Sequence, residues 1–232
     1  MRETRPVLLL GEKWKLLLEL CHFTQSLNPL WDTGQLQRSL KSLSQPAIVL
    51  AQNIQDEEER FLFLVDYFFK TLNFSIDNPQ ESQLLNSFMP QILVSRKGPS
   101  QLLLLLLMAL LEQCHLKMSL CSPKQRLVFK VHLNRKVQLF DFTSQCAHVG
   151  TSDLIQLING GYDFSGQPTP VSALVVEYLN RIANLARRER KLQILSITHS
   201  FLMKYQPFNL VHLSERAKSL LKPVIITKLS KT

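Results

Sequence analysis

The sequence predicts an α+β fold that is mostly helical, with a small antiparallel sheet between an N-terminal and a C-terminal helical region. Three observations carry this expectation. Only 7 of 232 residues are Gly, while Leu recurs at helical spacing along most of the chain. One run, Leu102 to Leu111, is wholly apolar yet ten residues long, half the roughly 20 that a membrane span needs, so it reads as a buried central helix. Between residues 127 and 142 the period changes from 3.6 to 2, the mark of half-buried strands. With 45% hydrophobic residues the chain can build a real core, which excludes intrinsic disorder.

In the first helix Trp14, Leu17, Leu18 and Cys21 share a face, and Asn28-Pro29 ends the pattern. A second helix is expected from Asp32 or Thr33, either a suitable cap, to just before Pro46. A third is expected from about Ile48 through Phe69, with Gln55 to Arg60 as a solvated face. After a turn-rich break at Asn73 to Pro79, residues 79–94 again have helical spacing. The segment Ser95-Arg96-Lys97-Gly98-Pro99 stops them, and Ser100 caps a Leu-rich helix to about Lys117.

Leu127, Phe129, Val131 and Leu133 alternate with Val128, Lys130 and His132, and Asn134-Arg135 turns the chain into a partner strand over Val137 to Phe142. Gly and Pro punctuate 150–170, a linker with one short helix at Ser152 to Ile158. Apolar stripes then predict helices around Leu174 to Leu185, around Leu192 to Leu202 and from about Leu213 to Leu221. The expected divisions are 1–49, 50–150, 151–170 and 171–232.

The chain carries a formal charge of +9. From Arg181 to Thr232 there are eleven Lys or Arg against Glu189 and Glu215, so the last quarter holds the whole excess. Its sharpest cluster is Arg187, Arg188, Arg190 and Lys191, which could meet an acidic partner or nucleic acid. Without interleaved aromatic residues it would contact phosphates rather than stack on bases. As a plain alternative, it is a polar junction between two helices.

Cys21, Cys114, Cys121 and Cys146 lack framework spacing in a chain too large to need staples, which predicts reduced thiols and a cytoplasmic location. Glu12, Lys13 and Lys15 interrupt the apolar stretch from Val7 to Leu20, so neither a signal peptide nor a membrane span is expected. Cys114, His115, Cys121, Cys146 and His148 include zinc-type ligands, but no Cys-x-x-Cys pair exists and no metal is expected. No Gly-rich loop is present to cradle a phosphate, and no cofactor is expected.

Several segments together resemble one family. Asn78-Pro79-Gln80-Glu81-Ser82-Gln83-Leu84 followed by Arg96-Lys97-Gly98-Pro99 and a Leu-rich helix resembles the signature of SirB-type transglutaminase-like proteins of bacteria. Leu139-Phe140-Asp141-Phe142 resembles that family's acidic strand end, and Leu179-Asn180-Arg181-Ile182-Ala183-Asn184-Leu185 resembles its Leu-x-Arg helix. Pro207 and Ser214-Glu215-Arg216-Ala217 fall where the family has its closing Pro and last helix start. The resemblance covers roughly 50 to 221 and implies a transglutaminase-like core followed by tetratricopeptide-like helices.

It also implies where catalytic groups would lie: a Cys at the head of the buried helix, a His opening one strand and an Asp ending the next. A helix N-terminus and an imidazole would lower the Cys pKa, and the Asp would fix the imidazole tautomer. Here the helix head is Gly98-Pro99-Ser100-Gln101, and the His segment corresponds to about Pro123-Lys124-Gln125-Arg126. Only Asp141 is left of the three. A substitute triad of Ser100, His132 and Asp141 fails on geometry, because the hairpin turn sets Val128 opposite Asp141 and His132 opposite Val137. Asp141 and His132 are then about 13 Å apart at the usual strand rise, against the roughly 3 Å contact that a triad needs.

The resulting expectation is a pseudoenzyme, a regulatory or binding module with a protein partner. Two alternatives remain: a divergent hydrolase or acyltransferase using Ser100 or a Cys, and nucleic-acid binding through the basic last quarter.

Overall fold

A computed structural model describes residues 11–80, 82–122, 126–160 and 168–209, with Ser214. The chain is mostly helical and carries one four-stranded antiparallel sheet, in agreement with the expected fold class. The last helix expected over Leu213 to Leu221 lies outside the described residues apart from Ser214.

Helix α1 (Glu12–Leu27) buries Trp14, Leu17 and Cys21 as expected, with Leu18 half-buried at the edge of that stripe. Helix α2 (Thr33–Ala51) starts at Asp32, whose carboxylate accepts from the amides of Gly34 and Gln35 at 3.0 and 2.9 Å, satisfying donors that the first turn leaves open. The expected end before Pro46 is wrong, because the helix continues through Pro46 to Ala51. Proline deprives one carbonyl of its amide partner, but Ala47 and Ala51 beyond it are fully buried, and their packing holds the second half helical. Ile48 therefore belongs to α2, and the third helix begins instead at Glu57.

Helix α3 (Glu57–Asp66) is capped by Asp56, which accepts from the Glu58 and Glu59 amides at 2.9 Å each. Glu57, Glu58 and Glu59 fill the first turn, where negative charge favours the helix. The acidic run does more than face solvent. Glu57 Oε2 accepts from the Asn134 amide and Asp56 Oδ2 from Asn134 Nδ2, both at 2.7 Å, tying the helix start to the hairpin turn. The Glu59 amide, followed by the Asn134 side chain, holds the Asp56 carboxyl below its ordinary pKa. Beyond Asp66 the helix widens into a π-turn over Tyr67–Thr71, and Phe68 and Phe69 are both buried.

Residues 79–94 are less regular than their spacing suggests. A short strand β1 (Ser75–Ile76) and a 3₁₀ turn (Leu85–Ser87) precede helix α4 (Met89–Ser95). Arg96 ends α4 in the left-handed region at φ 59, and strand β2 (Lys97–Gly98) pairs parallel to β1. A Cβ at Gly98 would lie 2.9 Å from the buried Ile92 side chain and would have to displace it.

Helix α5 (Ser100–Gln113) is the centre of the core, with every residue from Leu102 to Leu111 buried. A helix apolar all round is stable only when covered on all sides. Here α1, α3 and α7 pack against it. It ends four residues earlier than expected, because Lys117 starts strand β3 (Lys117–Ser122), whose alternation the sequence did not make plain.

Strands β4 (Val128–Leu133) and β5 (Lys136–Asp141) form the expected hairpin in the expected register, with Val128 across from Asp141 and His132 across from Val137. Strand β6 (Ala147–His148) completes the order β3-β4-β5-β6. Asn134 and Arg135 have φ 49° and 69°, both left-handed as a two-residue hairpin turn demands. Arg135→Gly relieves that demand and is expected to stabilise by about 0.5 kcal/mol, raising the thermal midpoint by about 1–2 °C. An unchanged or lower midpoint in a calorimetric scan would contradict this reading of the turn.

Helices α6 (Thr151–Asn159), α7 (Ser172–Arg188) and α8 (Leu192–Tyr205) follow. Tyr178, Leu179 and Ile182 of α7 and Leu202 of α8 join the same hydrophobic core as α1 and α5. No helix among the described residues is long and apolar enough to cross a membrane.

Candidate functional site

The acidic strand end and the motif-bearing loop can each be built from their residues. Asp141 closes β5 and is 1% exposed. Its Oδ1 accepts from the Thr143 amide at 2.9 Å and from Thr143 Oγ1 at 2.5 Å, capping the 3₁₀ turn Phe142–Ser144. Its Oδ2 accepts from Arg126 Nε at 2.7 Å and lies 2.6 Å from Arg126 Nη2 in an ion pair. A carboxylate offers about four lone-pair sites. Both oxygens are engaged, and a guanidinium lies where the resemblance places an imidazole.

The other members of the tested triad are not brought to Asp141. His132 is exposed, between Val137 of β5 and Lys117 of β3, four positions along β4 from the residue opposite Asp141. His148 lies across from Phe140, with their rings 5.8 Å apart, and so on the opposite sheet face from Asp141. Ser100 is the first residue of α5 rather than its cap, a position taken by Pro99. Its Oγ donates only to the adjacent Gln101 Oε1, at 3.5 Å.

Burial disfavours the thiolate at all four cysteines. Burial pushes the Cys21 pKa up to about 12 and the Cys114 pKa up to about 11, and raises that of Cys121. Cys146 is pushed up by burial and further by the negative charge of Asp141. Cys114 follows the end of α5 and His115 has φ 62°, so neither lies on a helix face. Among the described residues no three His, Cys, Asp or Glu side chains gather as a metal site.

The motif segments do converge, although not on the acidic strand end. Arg181 Nη2 of α7 reaches Asp77 Oδ2 at 2.6 Å and also bonds the Ser82 hydroxyl. Ser82 Oγ donates to Asp77 Oδ2 at 2.6 Å. Arg188 Nη2 donates to the Ser82 carbonyl, and Glu189 Oε1 accepts from the Leu84 amide at 2.8 Å. One face of α7 thus clamps the 77–84 loop, and Tyr178 adds a bond from its buried hydroxyl to the Ser87 carbonyl at 2.9 Å.

The basic cluster forms the α7–α8 junction. Arg187 donates to Asn184 Oδ1 at 2.9 Å, Arg190 is left-handed at φ 58°, and Lys191 precedes α8. Arg187, Arg188, Arg190 and Lys191 are all exposed overall, although Arg188 also serves the clamp. Sequence reasoning missed Arg126. The signal was the hairpin register, since Arg126 stands two residues before Val128 and hence on the same strand face.

A buried helix leading into an antiparallel sheet, with an acid at a strand end and a helical cover, defines a compact α+β class of core. A family model for the transglutaminase-like superfamily matches residues 34–190. This chain belongs to the transglutaminase-like superfamily. No curated protein and no solved structure matches it.

Proposed function

We propose that this chain is a non-catalytic, SirB-type member of the superfamily that acts by binding a protein partner, a cytoplasmic regulatory module rather than an acyl-transfer enzyme. The observation that carries this reading is the engagement of both Asp141 carboxylate oxygens, one by Thr143 and the other by Arg126. A carboxylate held on both oxygens, one of them paired to a guanidinium, is poorly placed to orient an imidazole, and a guanidinium does not take up a proton as a general base. The serine at the head of α5 is consistent with this, because without a base its hydroxyl is a poor nucleophile. Cysteine usage supports the cytoplasmic assignment, and the α7–α8 pair supports a tetratricopeptide-like end to the chain.

The test is labelling and turnover together. The native protein is expected to resist a fluorophosphonate and, at pH 8, to react slowly with iodoacetamide. A thiol of pKa about 11 is only about one part in a thousand thiolate at that pH. All 4 cysteines should react after unfolding. Ester hydrolysis and amine incorporation into glutamine should match the buffer blank. Fast labelling or turnover abolished by Ser100→Ala, or by replacing one cysteine, would establish the divergent hydrolase or acyltransferase instead.

The exposed Arg187, Arg190 and Lys191 favour a second reading, nucleic-acid binding through phosphate contacts. Capture from lysate at low and moderate salt, with nuclease, separates the two. A stoichiometric protein that survives both treatments supports the first reading, and material lost to nuclease supports the second.

A further inference from the structure

A recess of about 220 Å³ opens between the 77–84 loop and the α4–β2 segment. Every side chain lining it is polar, among them four carboxamides, Asn78, Gln83, Asn86 and Gln91, and the ammonium of Lys97. It is smaller than the roughly 300–1,000 Å³ of small-molecule sites, and these five residues are exposed, so it is a surface feature rather than a cofactor cavity. Its floor is fixed, because Asp77 and the buried Ser82 are both held by Arg181. Among the described residues, the side chains of Gln83, Asn86 and Gln91 enter no hydrogen bond, which leaves their donors and acceptors open to a ligand.

The recess runs into the basic α7–α8 junction. Arg188 bonds the Ser82 carbonyl and Glu189 the Leu84 amide, on either side of Gln83. Asp77 and Glu189, the carboxylates in the contacts that join recess and junction, are thus both held within the fold. Lys97, Arg190 and Lys191 are exposed and enter no ion pair among the described residues, so the joined surface is positive. Arg190 also occupies a position ordinarily given to glycine. The Lys191 amide donates to the Ala186 carbonyl at 2.8 Å and the Arg190 amide to the Arg187 carbonyl at 3.2 Å, a helix closure whose left-handed residue is usually glycine. Here that residue is Arg190, at φ 58°. Its guanidinium is therefore presented against the backbone preference, which folding alone does not call for.

We infer that the recess and the junction together dock an extended acidic peptide segment of the protein partner, with its carboxylates on Lys97, Arg190 and Lys191 and its backbone along the carboxamides. This rests on the protein-binding reading above and names the partner's chemistry. Each carboxamide offers one acceptor and a donor pair, which match the C=O and N–H of an extended peptide. A phosphodiester backbone supplies acceptors alone, and no aromatic side chain lines the recess to stack a base.

Fluorescence anisotropy of labelled probes against the full chain tests this. A decapeptide alternating Glu and Ser, with blocked termini, is expected to bind roughly tenfold tighter than its Gln-Ser counterpart and than a thymidine hexanucleotide of equal charge. Arg190→Gly relieves the left-handed turn, so it should melt no lower than wild type while binding the peptide roughly tenfold more weakly. Gln83→Ala with Gln91→Ala, both at exposed positions, should weaken the peptide roughly threefold and leave the hexanucleotide unchanged. Undetectable peptide binding, equal binding of the Gln-Ser peptide, or either variant binding the peptide as well as wild type would overturn the assignment. A hexanucleotide that binds as tightly as the acidic peptide would overturn it in favour of nucleic acid. Lysate capture separates failure here from failure of the protein-binding reading. A stoichiometric protein held equally by wild type and Arg190→Gly leaves that reading standing without this surface, and no captured protein removes both.

Discussion

Arg181→Met is expected to cost roughly 3–5 kcal/mol of folding stability, a large part of what a domain of this size has. The pair it breaks is mostly shielded from water, with the Arg181 and Asp77 side chains 17% and 14% exposed. Removing the guanidinium strands the Asp77 carboxylate in that setting and takes a donor from Ser82. The loss also spreads, because Ser82 and Leu84 are anchored by Arg188 at the end of α7 and by Glu189 just beyond it. Urea unfolding followed by far-ultraviolet circular dichroism measures the cost. The double variant Asp77→Asn with Arg181→Met should recover much of it, because no unpaired charge is then buried. A single-variant cost below about 1 kcal/mol would mean that water reaches the pair and that the clamp contributes little.

Phe61→Ala is the second large effect, about 3–5 kcal/mol. Phe61 is fully buried, and its ring lies 4.4 Å from that of Phe140 and 6.4 Å from that of Phe129. It is therefore the apolar contact between α3 and the β4–β5 hairpin, beside the polar ties of Asp56 and Glu57 to Asn134. Truncation leaves a cavity between two rings that approach each other at 6.0 Å and cannot close it without moving the sheet. The near-ultraviolet aromatic signal should fall together with the urea midpoint. Phe61→Leu retains most of the volume and should cost roughly half as much or less. Equal costs for the two variants would show that ring geometry, rather than volume, holds the junction.

The parts of the fold legible in the sequence were those where a local pattern and its stop signal agree. Alternation from Leu127 to Leu133 with Asn134-Arg135 fixed both strands and their register, because a two-residue turn leaves no freedom in the pairing. Ten consecutive apolar residues identified the central helix because nothing else could cover them. Pro46 misled, since its local cost is overruled by the burial of Ala47 and Ala51. Strand β3 was missed because Lys117-Met118-Ser119-Leu120-Cys121-Ser122 is short and its apolar residues are not all β-formers. At the candidate site, the separation of His132 from Asp141 was legible from register alone. The occupation of Asp141 by Arg126 was less plain, because Arg126 precedes the alternating run and only the hairpin register relates it to Asp141. The clamp was less legible still, since residues about a hundred positions apart reveal no pairing without the fold.

That last separation has a consequence for how the chain is made. Asp77 and Arg181 are 104 positions apart, so a ribosome adding roughly 5–20 residues per second makes the loop wait about 5–20 s for its arginine. Throughout that interval the nascent loop exposes a carboxylate and open backbone groups, and the Leu-rich helix that follows it has emerged without its α7 cover. Synthesis of the last third therefore both completes the core and ends the period in which the chain is most exposed to aggregation or to a chaperone.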